Sequence, residues 1–165
     1  MASTIIVYDS VFGNTAEVAR AIGAEFEGSH KVRVVAVQDA KPGDLDGADL
    51  VIFGSPTRGF RPTPAIQEFI GSTGESLRDR RVAAFDTRLD PESIQPAPLR
   101  WVVEVGGYAA GVLQRELDQK SANKVVEPAG FLVLGTEGPL KDGEIARARD
   151  WARALAEKIS GSKAA

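Results

Sequence analysis

Residues 4–15 of the chain read Thr4-Ile5-Ile6-Val7-Tyr8-Asp9-Ser10-Val11-Phe12-Gly13-Asn14-Thr15, and they are the strongest indication of the fold. The apolar run from Ile5 to Tyr8 has no polar break, as in a strand that is buried on both faces. A polar loop follows, and then apolar residues recur with a helical period at Val18, Ala19, Ile22 and Phe26. A strand, a polar loop and a helix in this order bring free backbone N–H groups and the positive end of a helix to one point, which favours an anion.

The residues of the loop restrict the kind of anion. A Walker loop needs two glycines and a Lys, and a dinucleotide fingerprint needs three glycines, whereas this loop has only Gly13 and no Lys. Ser10, Asn14 and Thr15 supply neutral donors, and Gly13 lets the backbone approach a ligand closely. Neutral donors at the start of a helix indicate a terminal phosphate monoester held without a counter-cation or Mg²⁺. A Ser-containing turn that only caps an ordinary helix is the alternative.

At this loop the sequence resembles the flavodoxin-like family, whose first loop reads Ser/Thr-x-x-Gly-x-Thr and wraps the phosphate of FMN. The matching residues here are 10–15, Ser-Val-Phe-Gly-Asn-Thr. A second stretch, residues 54–59 (Gly-Ser-Pro-Thr-Arg-Gly), is similar to the family segment that lies beside the flavin ring. The resemblance covers about residues 4–159. It is closest to small stand-alone flavodoxin-domain proteins and to the flavodoxin domain of flavodiiron proteins, and it implies FMN as the cofactor.

The composition excludes several classes of site. The chain has 165 residues, a length that supports one domain with a single core. Because it has no Cys, it cannot form disulfides, use thiol catalysis or bind iron–sulfur clusters. His30 is the only His, so we expect no metal site. A net charge of −3 gives no general attraction to nucleic acid. The first residues form neither an export signal nor a membrane span, so we expect a cytoplasmic protein.

Strands and helices alternate along the rest of the chain. We predict strands at residues 5–8, 31–37, 48–54, 81–86 and 131–134. After the first helix we predict helices over 65–70, over 99–119 with a weakened middle at Gly106-Gly107, and from Asp142 to about residue 159. Continuous apolar strands predict an α/β, doubly wound three-layer sandwich with a five-stranded parallel sheet of order 2-1-3-4-5. Residues 1–160 form one domain in this prediction, and residues 161–165 form a frayed tail.

Ligands of such a sheet bind beyond the carboxyl ends of its strands, where strands 1 and 3 meet. Three loops are expected there, residues 9–15, 55–61 and 87–94. The resemblance implies that the first holds the FMN phosphate, the second lies beside the flavin ring, and the third offers backbone N–H groups to the flavin carbonyl oxygens. The candidate FMN-binding residues are therefore Ser10, Val11, Phe12, Gly13, Asn14, Thr15, Ser55, Pro56, Thr57, Arg58, Gly59, Phe60, Asp86, Thr87, Arg88 and Leu89.

The aromatic residues depart from the family pattern. The family places the flavin ring between a Trp or similar residue of the second loop and a Tyr of the third. Here the second loop offers only Phe60 and the third offers Leu89, so we predict that Phe60 stacks on the ring and that stacking is weak or one-sided. Trp101 and Trp151 fall at helical positions that are expected to pack in the core.

The charge of the loops also departs from the family, which is strongly acidic around the flavin. Here Arg58, Arg61 and Arg88 stand among the carboxylates of the second and third loops. Arginines near the flavin are expected to stabilise the negative charge of its reduced form and to attract anionic donors such as NADPH.

The leading functional prediction is an FMN-binding redox protein that transfers electrons through the flavin, to a redox partner protein or a small-molecule acceptor. We favour an electron-transfer flavoprotein, without catalytic residues of its own, over a substrate-specific oxidoreductase. The alternatives are an NAD(P)H-dependent reductase of quinones or similar small acceptors, and an FMN-free interaction module. A response-regulator receiver needs an acidic pair after strand 1, an Asp after strand 3 and a Lys after strand 5. This chain has only Asp9 after strand 1 and lacks the other two, so this class is excluded. We expect a monomer or a weak dimer that binds neither nucleic acid nor membranes.

Overall fold

The computed structural model describes residues 1–93 and 107–164 and has a parallel sheet with helices on both faces. Its strands are β1 (Ala2–Tyr8), β2 (His30–Ala36), β3 (Leu50–Pro56), β4 (Arg81–Leu89), β5 (Asn123–Lys124) and β6 (Ala129–Val133). Its α-helices are α1 (Asn14–Phe26), α2 (Pro64–Gly71), α3 (Ala109–Gln119) and α4 (Glu144–Ala164). In the described part of the chain, no helix is both long enough and apolar enough to cross a membrane.

The strand order confirms the predicted 2-1-3-4-5 arrangement. β1 lies between β2 and β3, and β3 pairs with β4, all in parallel register. The fifth position is divided, because the short β5 pairs with the start of β4 and β6 pairs with its end. Pairing with β6 extends from Phe85 to Leu89, so β4 continues three residues beyond its predicted end at Asp86. The third predicted loop is therefore strand as far as Leu89.

Alternate residues of the central strands fill two separate cores. Val7, Val51 and Phe53 lie in the core that α2 and α3 cover, whereas Ile6 and Ile52 lie in the core that α1 and α4 cover. This alternation is what a sheet buried on both faces requires. Trp151 of α4 packs against two Phe rings at centroid distances of 6.2 Å, which confirms its predicted core role.

Two predicted helix boundaries differ from the structure. The prediction began the third helix at Leu99, and residues 99–106, including Trp101, lie outside the described residues. Tyr108, which was predicted to be helical, is extended and follows Gly107 at φ +88°, so α3 begins at Ala109. At the other end of the chain, α4 continues through residues 161–164, where we predicted a frayed tail. Since Ile159 is buried against the core, the helix is anchored close to this last turn.

Candidate functional site

A cleft of about 260 Å³ opens at the carboxyl ends of β1, β3, β4 and β6. This is the edge at which the loops after neighbouring parallel strands meet, as expected for an open α/β sheet. The cleft brings together twelve of the sixteen predicted site residues and two that were not predicted. Its walls are formed by Ser10, Val11, Phe12, Asn14, Thr15, Pro56, Thr57, Arg58, Gly59, Thr87, Arg88, Leu89, Val133 and Thr136.

The loop between β1 and α1 is organised around the hydroxyl of Ser10. Its Oγ accepts hydrogen bonds from the backbone N–H of Gly13 at 3.1 Å and of Ala16 at 3.2 Å. Gly13 itself does not line the cleft; it has φ +97°, a conformation that L side chains rarely adopt, and it turns the chain into the helix. Since Ser10 Oγ accepts both bonds, its own hydrogen is free to point at a ligand.

Four backbone N–H groups of this loop have no acceptor within the described residues. They belong to Val11, Phe12, Asn14 and Thr15, at the start of α1. The first N–H groups of a helix have no partner in the helix, and its dipole places partial positive charge there. The loop is therefore a concave set of neutral donors that fits an anion.

Two other side chains predicted to hold the phosphate already have protein partners. The hydroxyls of Thr15 and Thr87 lie 2.8 Å apart and are both buried, so they tie the start of α1 to β4. One of the two hydroxyls donates to the other, which leaves one hydrogen for a ligand. Asn14 Nδ2 donates to the carbonyl oxygen of Glu137 at 3.2 Å.

The second loop turns sharply at Arg58-Gly59-Phe60-Arg61. Arg58 and Arg61 exchange two backbone hydrogen bonds of 2.8 and 3.1 Å, and the two residues between them have φ of +55° and +69°. Positive φ at both central positions is the geometry of a type I′ turn. Ser55 does not line the cleft, because its buried hydroxyl donates to Pro56 O and accepts from the N–H of Thr63.

The turn places Phe60 away from the cleft. Phe60 lies in a shallow depression on the other side of the turn, beside Arg61, Val112 and Arg115. Among the described residues, Phe12 is the aromatic one that lines the cleft, and the guanidinium carbon of Arg58 lies 5.8 Å from the centroid of its ring. The sequence did not predict that Phe12 lines the cleft in place of Phe60, because the direction of each ring depends on backbone angles within the turns.

Arg88 is not a free loop cation. Its guanidinium donates two hydrogen bonds of 2.7 Å to the carboxylate of Asp86 and stacks on the ring of Tyr108, 3.7 Å from the centroid. Asp86 is fully buried and lies outside the cleft lining. Its carboxylate also accepts the N–H of Ala110 at 2.9 Å and is hydrogen-bonded by the hydroxyl of Thr57. Burial raises the pKa of Asp86, and these donors act in the opposite direction.

The Asp86 network joins the second loop, β4 and α3. Thr57 Oγ1 accepts the N–H of Ala109 at 3.0 Å, and Asp86 accepts that of Ala110, so the first two N–H groups of α3 are capped by side chains of other elements. Asp86 therefore does not line the cleft, but it holds Thr57 and Arg88, which do, by hydrogen bonds.

Val133 and Thr136 are the cleft residues that the sequence did not predict. They come from the end of β6 and the loop after it, to which we assigned no chemical role. The close approach of this loop to α1 involves Gly138, where a Cβ would lie 2.6 Å from Asn14 Oδ1. The glycines of this loop were the sequence feature that could have indicated its approach to the cleft, but they are equally typical of an ordinary turn.

Glu144 anchors this loop to the sheet. Its carboxylate accepts the N–H of Leu132 at 2.7 Å and pairs with Arg147 at 2.7 Å. Burial of Glu144 raises its pKa, but the hydrogen bonds from Arg147 and Leu132 outweigh burial and hold the pKa below its ordinary value of 4.5.

Replacing Glu144 by Gln is expected to weaken the dependence of stability on acid pH. A carboxyl with a lowered pKa in the folded state stabilises the fold above its unfolded value of 4.5, and this contribution is lost as the pH falls through the folded pKa. The variant should lose about 1.5–3 kcal/mol at neutral pH and less near pH 3. Urea unfolding at both pH values measures this, with Glu157→Gln on the exposed face of α4 as the control. An equal loss at both pH values would contradict the assignment.

The sequence and the fold were compared with known proteins. A family model described as a flavodoxin domain matches residues 5–126. A flavodoxin from the domain Archaea superposes with a TM-score of 0.74 at 20% identity, over 96% of this chain and 99% of that chain. Oxidised flavodoxin 1 of Bacillus cereus superposes with a TM-score of 0.71 at 17% identity, over 94% of this chain and 98% of that chain. Rubredoxin oxygen:oxidoreductase of Desulfovibrio gigas superposes with a TM-score of 0.76 at 17% identity, over 99% of this chain but only 37% of that chain. A comparison with curated proteins gives no match. At such identities the structural similarities show the fold alone.

Proposed function

Since the chain belongs to the flavodoxin-domain family, we propose that it binds FMN in the cleft and transfers electrons through the flavin. The cofactor supplies the electron chemistry when bound, and the protein supplies affinity, orientation and the local field. The residues of the chain bind one end of the cofactor as an anion and border the rest of it with backbone and apolar side chains.

The observation that carries this proposal is the donor set at the start of α1. Four backbone N–H groups without an acceptor in the described residues and the hydroxyl of Ser10 border one end of the cleft. A phosphate monoester satisfies several such donors at once, and the helix dipole adds to the attraction. The residues present therefore fit the phosphate end of FMN.

The rest of the cleft lining is partly apolar. Phe12 and Leu89 line the cleft together with Pro56, Thr57 and Gly59 of the second loop. A pocket with apolar walls and a few polar groups at one end is typical of cofactor sites.

The experiment that tests the proposal is titration of the cofactor-free protein with FMN and with riboflavin, which lacks the phosphate. We expect FMN to bind at least tenfold more tightly than riboflavin, because each hydrogen bond to a charged acceptor contributes about 1.5–3 kcal/mol. Equal affinities would refute the phosphate site. No flavin absorbance in the purified protein, together with no binding of either flavin, would favour an FMN-free interaction module.

Phe12, which lines the cleft, is expected to contact the flavin ring. Phe12→Ala should weaken FMN binding by about 0.5–1.5 kcal/mol, or roughly two- to twelve-fold, and should raise the fluorescence of the bound flavin. Phe60→Ala is the matched control, because Phe60 lies outside the cleft. Titration followed by fluorescence measures both effects. If Phe60→Ala weakened FMN binding more than Phe12→Ala, Phe60 would be the stacking residue, as the sequence predicted.

Arg58 is expected to raise the reduction potential of the flavin. It lines the cleft and has no ion pair within residues 1–93 and 107–164, whereas the charge of Arg88 is balanced by Asp86. Arg58→Gln should shift the second one-electron potential by about 20–60 mV to more negative values, since about 59 mV corresponds to 1.4 kcal/mol. A redox titration at low and high salt measures the shift. An unchanged potential at both salt levels would show that Arg58 points away from the flavin.

A further inference from the structure

The large exposed apolar side chains gather around the cleft. Apart from Met1, those of the described residues are Val11, Phe12, Leu89 and Leu134, with exposed fractions of 47%, 44%, 36% and 48%. Three of them line the cleft, and Leu134 directly follows Val133, which also lines it. We call these four residues the apolar rim. Exposed apolar side chains scattered singly need no explanation, but a concentration around one opening marks an interaction surface.

Three arginines flank the apolar rim on the side of the second loop. Arg58 stands over Phe12 in the cleft, while Arg61 and Arg115 line the shallow depression on the other side of the turn at residues 58–61. None of the three has an ion-pair partner among the residues that the structure describes, whereas eight other lysines and arginines of the described chain have one. Among the described residues that line the depression, Glu116 is the one carboxylate, and it accepts a hydrogen bond of 2.6 Å from Gln67. This side of the cleft is therefore positive on a chain whose net charge is −3.

We propose that the apolar rim and the three arginines form the docking surface for a protein electron carrier with acidic residues around its own redox centre. The proposal rests on the proposed function, because the electron would pass to or from a flavin in the cleft. An apolar centre with a charged margin is the ordinary composition of a protein–protein interface. Complementary charge at the margin orients the partner and accelerates encounter. A nicotinamide dinucleotide would use the arginines but would leave Leu134, which follows β6 and does not line the cleft, without a partner.

The test uses the sign of the salt dependence of electron transfer. The FMN-loaded protein is mixed with a reduced plant-type [2Fe–2S] ferredoxin, which is an acidic carrier of low potential. One electron leaves the reduced cluster and enters the flavin, and the second-order rate constant is measured from about 0.01 M to about 0.15 M salt. Attraction by the arginines predicts a rate constant that falls about tenfold over this range. Repulsion between two acidic proteins predicts a rate constant that rises.

Two double variants with the same net charge separate local attraction from overall charge. Arg61→Gln with Arg115→Gln should remove most of the salt dependence and slow the reaction at low salt several-fold. Arg20→Gln with Arg81→Gln is the control, because Arg20 lies on α1 and Arg81 begins β4 at the edge of the sheet opposite the cleft. The control should retain the falling salt dependence of the wild type. FMN affinity should be unchanged in both, since none of these residues lines the cleft.

The FMN titration separates failure of this inference from failure of the proposed function. A wild-type protein that does not bind FMN would refute the function itself. Normal FMN binding with a rate constant that rises with salt, or equal effects of the two double variants, would overturn the docking surface alone. The docking surface would also be overturned if the Arg61 and Arg115 changes slowed reduction by NADPH but left the rate of reduction by ferredoxin unchanged, because the arginines would then bind a dinucleotide.

Discussion

Asp86→Ala is expected to lower the free energy of unfolding by about 3 kcal/mol. The carboxylate is fully buried, and its removal leaves the Arg88 guanidinium and the Ala110 N–H without their acceptor. Removing one partner of a buried ion pair typically costs 3–5 kcal/mol. We expect the lower end, because the Arg88 side chain is 21% exposed and water reaches it in part. Urea unfolding at neutral pH measures the loss.

A double-mutant cycle checks that the loss comes from the uncompensated arginine. Arg88→Met removes that charge and keeps a long apolar side chain against Tyr108. The double variant Asp86→Ala with Arg88→Met should be more stable than the sum of the two single losses predicts, by 1 kcal/mol or more. Strictly additive losses would show that Asp86 acts through space filling or through Ala110 and Thr57 alone.

Ser10→Ala is expected to weaken FMN binding by about ten- to a hundred-fold. The change removes the one acceptor that holds the Gly13 and Ala16 N–H groups in place, as well as a donor to the phosphate. A hydrogen bond to a charged group contributes about 1.5–3 kcal/mol, which corresponds to this range of affinity. Riboflavin should bind the variant as it binds the wild type, because it has no phosphate for Ser10 to contact.

Ser72→Ala is a matched control for Ser10→Ala. The Ser72 hydroxyl donates to Phe69 O at the end of α2 and does not line the cleft, so its removal should leave FMN affinity unchanged. Thr15→Ser provides a second comparison, because it retains the hydroxyl that meets Thr87. If Ser10→Ala lowers the affinities for FMN and riboflavin equally, the serine shapes the loop without contacting the phosphate.

The sequence predicted the features that local pattern determines. Apolar runs and helical periods predicted the sheet order, and the spacing from Ser10 to Thr15 predicted a loop that lies at one end of the cleft. The pairing of Arg88 with Asp86 was not predicted, since it depends on β6 extending β4 beyond residue 86. Contacts between residues distant in sequence, such as Thr136 with the cleft, leave no mark in the local pattern. Leu99 to Gly106, part of a predicted helix, lies outside the described residues.

The anchoring of β6 also bears on how the chain avoids association through its sheet. β6 pairs with β4 on one side, and on its other side the Leu132 N–H is taken by Glu144 and the Leu132 carbonyl by the N–H of Lys141. Arg147 donates to the Gly130 carbonyl in the same row. An open strand edge offers unpaired groups to another chain and so templates aggregation. Here the loop before α4 and the first turn of α4 fill those positions, so another strand could pair with β6 only after both had been displaced.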